Sequence, residues 1–295
     1  MLKFIGMEIK HLTVSEFTKH NLGILFETPE PPKELWYQGN LPSPDLRLLS
    51  VVGSRKYTTY GQQVIDHLFA GLAGYPIGII SGLALGIDRL AHEAAMKNNL
   101  YTLAVPGSGL DAAVLYPASH KSLARKILES GGAMLSELPP QTPAAPWTFP
   151  RRNRIMAGLA EATLLIEDGE KSGPLITARL AVDYNRELLA VPGSIFSKNT
   201  YGTHQFLKLG ATLVTSASDI LDVFNIKEDQ NDKEVTKANL TPEEEKVIAL
   251  LHEPQQKDVL LRSLSLGTAE ANIFLMQMEM QGYIIYESPY YRSLI

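Results

Sequence analysis

The sequence predicts an α/β fold: a Rossmann-like, doubly wound and mostly parallel sheet, followed by a small C-terminal winged-helix domain. Between residues 47 and 226, short apolar runs alternate with segments in which apolar residues recur at helical spacing. Glycine-containing turns follow several of these runs, as in sheets that bind ligands at their strand ends. The chain has 295 residues and is 45% hydrophobic, which is enough for one large domain and a small one.

Residues 1–46 are predicted to be a short N-terminal lead-in or cap and not an independent domain. Five prolines, at positions 29, 31, 32, 42 and 44, break its second half into extended pieces. Residues 35–37 are expected to pack on a neighbouring surface.

Residues 47–226 are predicted to form the α/β domain. The expected strands are residues 48–52, 77–80, 101–105, 133–135, 162–166, 188–191 and 212–214. The expected helices lie near residues 64–72, 87–95, 119–129, 151–159, 175–183, 205–208 and 217–223. In such a sheet the turns after the strands collect at one edge, outside the carboxyl ends, and ligands bind there.

Residues 227–240 are charged and poor in apolar residues, which predicts a linker. Residues 241–295 are predicted to form three helices and a β-hairpin, the pattern of a winged helix. The third helix, residues 268–281, contains no Lys or Arg. A helix that reads duplex DNA should carry such cations, so this unit is not expected to be the DNA reader.

Composition excludes several function classes. The chain has no cysteine, a formal net charge of −5, and seven histidines without metal-ligand spacing. No P-loop and no GxSxG motif is present, and the GxGxxA match at residues 107–112 follows the wrong strand for a dinucleotide fingerprint. We therefore expect no catalytic residue, no metal and no cofactor. The absence of a signal peptide and of an apolar run of about 18 residues predicts a cytoplasmic, non-membrane protein.

The first strand delivers a candidate phosphate-binding turn, Gly53-Ser54-Arg55-Lys56. Glycine lets the backbone approach a ligand, and amides near the following helix start can face an anion. Ser54 adds a hydroxyl, while Arg55 and Lys56 add positive charge. The alternative, a solvated strand end, is less consistent with this order of residues.

A second candidate run is Phe149 with Arg151, Arg152, Asn153 and Arg154. Arginines repel the positive end of a helix, so an anionic partner is expected to offset them. Phe149 is able to stack on a base in a sequence-tolerant way, which suits a single strand of nucleic acid. Salt bridges at a helix start are the alternative.

Two further turns, Ser81-Gly82 and Lys171-Ser172-Gly173, offer backbone amides to the same edge of the sheet. Ordinary strand-to-helix turns remain the alternative for each. Asp88 and His92, four residues apart on a helix, are expected to have a structural role because no nucleophile accompanies them.

Taken in order, the motifs VVGSRKYTTYG, SGLALGID, VPGSGLD, SELPP, FPRRNRIMAGL, EKSGPLITARLA and LLAVPGS resemble the DNA-processing protein A family, also called DprA or Smf. The resemblance covers roughly residues 35–224, and the C-terminal unit resembles the winged-helix domain of many members. The N-terminal helical domain of many members is shortened or replaced here.

The resemblance implies a homodimer that binds and protects incoming single-stranded DNA and loads RecA recombinase onto it during natural transformation. It implies that Gly53, Ser54, Arg55 and Lys56 hold phosphates and that Phe149 stacks on a base. It further implies that Arg151, Arg152 and Arg154 line the groove, with Ser172 and Gly173 adding a phosphate contact.

Two alternatives to this function remain. The first is a nucleotide phosphoribohydrolase of the LOG-like group, which would share the first phosphate turn. Those enzymes share a PGGxGTxxE motif. The corresponding strand ends here read VPGSGLD and VPGSIFS, without the glutamate. The second is that the C-terminal unit reads DNA and the α/β domain is a scaffold.

Overall fold

The computed structural model describes residues 8–169, 173–227 and 240–293. Contacts divide the chain into two compact units, Met1–Ile226 and Lys227–Ile295. In the first unit, a nine-stranded sheet runs in the order β1-β2-β6-β5-β4-β3-β7-β8-β9. The strands are β1 (Lys10–Thr13), β2 (Glu34–Gly39), β3 (Arg47–Val52), β4 (Ile77–Ser81), β5 (Tyr101–Ala104), β6 (Ala133–Ser136), β7 (Ala162–Leu165), β8 (Glu187–Ala190) and β9 (Thr212–Leu213).

Strands β3 to β9 are all parallel, whereas β1 and β2 are antiparallel additions at one edge. The helices of this unit are α1 (Thr59–Gly71), α2 (Ile87–Lys97), α3 (Lys121–Glu129), α4 (Thr148–Leu159), α5 (Pro174–Asp183), α6 (Tyr201–Lys208) and α7 (Ala217–Val223). The predicted Rossmann-like α/β fold is confirmed.

Helices cover both faces of the sheet, and β3 shows why. Leu49 and Val51 belong to a core cluster with residues of α1, α2 and α7, whereas Leu48 and Val52 belong to a second cluster with residues of α4 and α5. Successive side chains of a strand point to opposite faces, so β3 is apolar throughout and lies between two cores.

The strand order reverses between β3 and β7. From β3 the chain moves to β4, β5 and β6 on one side, and it then crosses to β7, β8 and β9 on the other. A crevice opens at such a switch point, outside the carboxyl ends of the strands. The turn after β3 therefore lies where this fold binds ligands.

The sheet extends beyond the residue-47 boundary expected from the sequence. Residues 34–39, placed among prolines, form β2 and pair with β6, so that Trp36 lies opposite Ser136. Three short 3-10 helices lie between β1 and β2 and bury Phe17, Leu22 and Leu25. The lead-in segment is thus an integral edge of the sheet, because β1 and β2 supply hydrogen bonds that the edge of β6 would otherwise lack.

The second unit contains three helices, α8 (Pro242–Leu250), α9 (Lys257–Ser263) and α10 (Thr268–Met280). Its strands β10 (Gln255–Gln256), β11 (Ile284–Glu287) and β12 (Tyr290–Ser293) form a sheet in the order β10-β12-β11. This is the predicted winged-helix arrangement. In α10, Met278 is buried in the core of the unit, whereas Met276 and Met280 are exposed.

No single helix in the described part of the chain is both long and apolar enough to cross a membrane, and α9 with α10 passes that test only as a pair bent by 113°. Within the same residues, no group of three or more His, Asp or Glu side chains is placed to hold a metal ion.

Asp88 and His92, for which a structural role was expected, make separate contacts inside the fold. Asp88 accepts hydrogen bonds from backbone amides, and the Nδ1 atom of the fully buried His92 lies 2.7 Å from Thr102 Oγ1. Burial lowers the pKa of His92 to about 3, and electrostatic interactions with His120 and Arg152 act in the same direction. His92 is therefore neutral in the folded protein.

We expect the free energy of unfolding to fall as the pH drops from about 6.5 towards 3, because unfolded His92 takes up a proton that folded His92 does not. Between pH 7.5 and pH 5 this contribution is about 2 kcal/mol. His92→Gln should reduce the difference between urea unfolding free energies at the two pH values by that amount. An unchanged difference would assign the acid sensitivity to other groups.

Candidate nucleic-acid interface

The turn after β3 exposes two cations. Arg55 and Lys56 are exposed, whereas Gly53 is buried beneath α2. A Cβ at Gly53 would lie 2.6 Å from Ile87 Cγ1, so the absence of a side chain at this glycine makes room for α2. Ser54 Oγ donates to Lys56 O and accepts from Lys56 N, at 3.0 Å each. The Ser54 hydroxyl therefore fixes the shape of the turn that presents Arg55 and Lys56.

The start of α1 is already occupied by a carboxylate of the protein itself. Glu167, which follows β7 and is 1% exposed, accepts from Thr58 N at 2.9 Å and from Thr58 Oγ1 at 2.5 Å. A Cβ at Gly61 would overlap the same carboxylate. Glu167 therefore already supplies, at this helix start, an anion that the helix dipole favours.

The turn after β4 is also used internally. Ser81 is buried and its Oγ donates to Val51 O at 2.7 Å. The amides of Gly82 and Ala84 donate to Asp88 Oδ2 at 3.1 and 3.2 Å. Ser81 and Gly82 thus join β4 to β3 and to α2, so this turn follows the alternative of an ordinary strand-to-helix connection.

A buried ion pair lies beneath this turn. Arg152 Nη1 is 3.8 Å from Asp88 Oδ2 and donates to Val105 O at 2.9 Å. Burial raises the pKa of Asp88, an effect that Arg152 and the amides of Ala84 and Gly82 oppose. Burial likewise lowers the pKa of Arg152, against the attraction of Asp88. Arg152 forms the floor of the crevice and connects α4 to the turns after β4 and β5.

Phe149 stands beside the basic turn. The Cζ atom of Arg55 lies over its ring, 5.6 Å from the centroid, and the ring of Tyr116 meets it edge-on at 5.8 Å. A Cβ at Gly107 would come within 2.6 Å of the Phe149 ring, so the absence of a side chain there makes room for Phe149. The neighbouring Trp147 is 55% exposed. Aromatic and cationic groups therefore meet at the point predicted from the sequence.

These residues enclose a groove with a volume of about 230 Å³ at the switch point of the sheet. Its walls bring together the turn after β3, α4 and the start of α5, through Arg55, Phe149, Arg152, Asn153, Gly173 and Ile176. A smaller recess continues on the other side of Arg55 and Phe149, towards Tyr116. With Gly53, which also lines it, the groove brings together six of the predicted site residues.

The arginine cluster divides between two places. Arg151 and Arg154 line a separate cavity of about 640 Å³ against residues 30–34, not the groove that holds Arg55. Both pair with Glu137: Arg151 Nε lies 3.0 Å from Glu137 Oε2, and Arg154 Nη2 contacts Oε1. Helix α4 starts at Thr148, so these arginines lie beyond its first residues. Their anionic partner in the structure is Glu137, as in the salt-bridge alternative.

Lys171 and Ser172 lie outside the described residues. Gly173 is exposed at the start of α5, with no atom within 4 Å of a Cβ placed on it. The sequence did not identify two carboxylates of the site. Glu137 pairs with Arg151 and Arg154, and Glu167 accepts hydrogen bonds at the start of α1. Nor did the sequence identify Ile176, which gives the groove an apolar wall and is 42% exposed.

The fold and the groove define a class: an α/β protein with an aromatic and cationic crevice at the switch point of its sheet. Residues 15–225 match the model of the DNA recombination-mediator protein A family, and the chain belongs to that family. The resemblance read from the motifs is confirmed.

Two relatives are informative. Protein Smf of Escherichia coli K12 is 41% identical over 198 residues, which are 67% of this chain and 52% of that protein. DNA processing protein DprA of Streptococcus pneumoniae R6 is 39% identical over 200 residues, 68% of this chain and 70% of that one. The matched region therefore spans only about half of the E. coli relative's length.

Solved structures share the fold. The X-ray structure of DprA from Streptococcus pneumoniae superposes with a TM-score of 0.67 at 35% identity, covering 73% of this chain and 74% of that one. DNA processing protein A from Helicobacter pylori, described in a single-stranded DNA binding mode, has a TM-score of 0.63 at 23% identity and covers 76% and 98%. The latter likeness bears on the fold alone.

Gly82→Ala should destabilise the first unit by about 1–3 kcal/mol, because the added methyl group overlaps the buried guanidinium of Arg152. Gly173→Ala is the matched control: it lies on the same groove, and its Cβ meets no atom within 4 Å. Urea unfolding of the two variants compares them. Equal midpoints would contradict the placement of Arg152 against Gly82.

Proposed function

We propose that this protein is a non-enzymatic recombination mediator that binds single-stranded DNA in the groove at Arg55 and Phe149. The observation that carries the proposal is the stacking of an exposed arginine on a half-buried aromatic ring at the switch point of the sheet. A guanidinium meets phosphate as a planar fork, and bases stack on aromatic rings or on arginine planes without regard to sequence.

Arg55 in the groove and Lys56 beside it in the same turn hold backbone phosphates, and Phe149 supports a base either directly or through the Arg55 guanidinium that covers it. Asn153 and Gly173 border the path of the strand. Lys171 and Ser172 belong to the proposed site by resemblance. Gly53, Ser81, Gly82 and Arg152 shape the groove from beneath, with Arg152 paired to Asp88.

Arg151 and Arg154 contribute less to DNA binding in this proposal than Arg55 does. Glu137 already neutralises much of their charge, so their attraction for phosphate is weaker than that of Arg55. Hydrogen bonding to Glu137 also raises the pKa of Arg151. These two arginines extend the positively charged surface rather than form its centre.

Membership of the family supports the biological role in this proposal. In the proposed role, the protein is a homodimer that protects incoming single-stranded DNA and delivers RecA recombinase to it during natural transformation. The family name supports a role in recombination, and the Helicobacter pylori relative binds single-stranded DNA. The C-terminal unit contributes little to DNA binding in this proposal, since α10 carries Glu270 and Glu279 and no Lys or Arg.

Arg55→Ala should weaken binding of labelled oligothymidine about tenfold, because it removes a charge-assisted contact to phosphate. The loss should be similar for other sequences, and the slope of log affinity against log salt should fall by about 0.7. Arg125→Ala is the matched control, because Arg125 is an exposed arginine on α3 that does not line the groove. Fluorescence anisotropy over a salt series measures both quantities.

Arg151→Ala completes the series and should have a smaller effect than Arg55→Ala, since Arg151 is paired with Glu137. Wild-type affinity in Arg55→Ala would overturn the assignment of the groove. Tighter binding of double-stranded than of single-stranded DNA by the wild type would overturn the proposed ligand.

The phosphoribohydrolase alternative predicts release of free base from nucleoside monophosphates. We expect no release above the uncatalysed rate, because the strand-end turns lack the glutamate of the motif that those enzymes share. Chromatography of the incubated nucleotides measures it. Base release at enzymatic rates, abolished by Arg55→Ala, would replace the mediator by the hydrolase.

A further inference from the structure

The loop between β8 and α6 carries the most exposed large apolar side chain in the described part of the chain. Phe196 is 91% exposed and the adjacent Ile195 is 80% exposed. Exposing a phenyl ring to water forgoes the free energy of burying it, so such a ring at a loop tip marks a contact with something else. Neither residue belongs to the groove around Arg55 and Phe149.

Hydrogen bonds hold this loop in shape. Ser197 N donates to Ser194 O at 3.0 Å, and Thr200 Oγ1 lies 2.7 Å from Ser194 O and 2.9 Å from Ser197 O. At its base, Tyr60 OH donates to Pro192 O at 2.6 Å. Phe196 is therefore presented on a fixed framework, which lowers the entropy that a ligand must remove on binding.

The loop is joined directly to the basic turn. Asn199 Nδ2 donates to Lys56 O at 2.9 Å, and Asn199 O accepts from Asp168 N at 2.6 Å. Strand β8 lies two places from β3 in the sheet, a separation of about 10 Å. Phe196 and the exposed Lys198 thus lie on the same edge as Arg55 and Lys56, beyond the groove.

We propose that Phe196, with Ile195, is a second base-stacking site on the path of the single strand, and that Lys198 and Lys56 hold the phosphates between it and the groove. The inference rests on the proposed function. Charge complementarity favours this occupant: the exposed Lys198 is two residues from Phe196 in the same loop, and single-strand binders combine stacking platforms with basic contacts. Two apolar side chains at a loop tip offer much less area than the roughly 800 Å² per partner of a stable protein interface.

The experiment compares oligothymidines of about 4 and about 20 nucleotides, which bracket the usual site sizes for single strands. Phe196→Ala in the full chain should bind the long oligonucleotide about fivefold or more weakly and the short one, bound at Arg55, as the wild type does. Phe196→Tyr should retain wild-type affinity for both. Met280→Ala removes an apolar side chain of similar exposure, 81%, from the C-terminal unit and serves as the control.

A second readout places the ring itself. In a Trp147→Phe background, Phe196→Trp puts a fluorophore at the loop tip, and the long oligonucleotide should quench it while the short one does not. Equal affinities of Phe196→Ala and wild type for the long strand would overturn the second site and leave the groove intact. Failure of the wild type to bind either strand would overturn the proposed function itself. A change of oligomeric state in Phe196→Ala, with DNA binding unchanged, would assign the ring to a protein contact and overturn the inference.

Discussion

The buried ion pair between Asp88 and Arg152 is the interaction on which the groove depends. Asp88 collects the amides of Gly82 and Ala84, while Arg152 reaches across to the carbonyl of Val105, so the turns after β4 and β5 and helix α4 meet at one point. A buried charge without its partner is costly, and each member of the pair therefore holds the other in place. The positions of Phe149 and of the basic turn above the pair follow from this arrangement.

The proteins of this fold that bind mononucleotides commonly use helix dipoles and free backbone amides to hold phosphate. Here the corresponding positions are filled from within, by Glu167 at α1 and by Asp88 beside Gly82. What remains for a ligand is the surface layer of side chains, Arg55 and Lys56 above all. Such a layer suits an extended polyanion, whose charges are spaced along a chain, better than a single compact phosphate.

The sequence predicted those parts of the structure that depend on local patterns. Hydrophobic periodicity located the strands and helices, and the rule that strand ends share an edge placed Arg55 and Phe149 near each other. The sequence did not show that Arg152 lies in the groove whereas Arg151 and Arg154 line a different cavity. Neighbouring residues of a helix point in different directions, and the partners of these arginines are distant in sequence. Glu137 lies 14 residues from Arg151, and Glu167 lies 109 residues from Thr58. Composition near the prolines likewise concealed that β2 continues the sheet.

The carboxylate of Glu167 at the start of α1 has a kinetic consequence. Since the fixed dipole of the helix is permanently neutralised, a bound strand would be held by separate, mobile side chains at the surface. Such contacts break one at a time. A competing polymer can therefore bind the strand segment by segment, before the strand has dissociated completely. Under the proposed function, release of the strand would then accelerate with the concentration of the competing polymer.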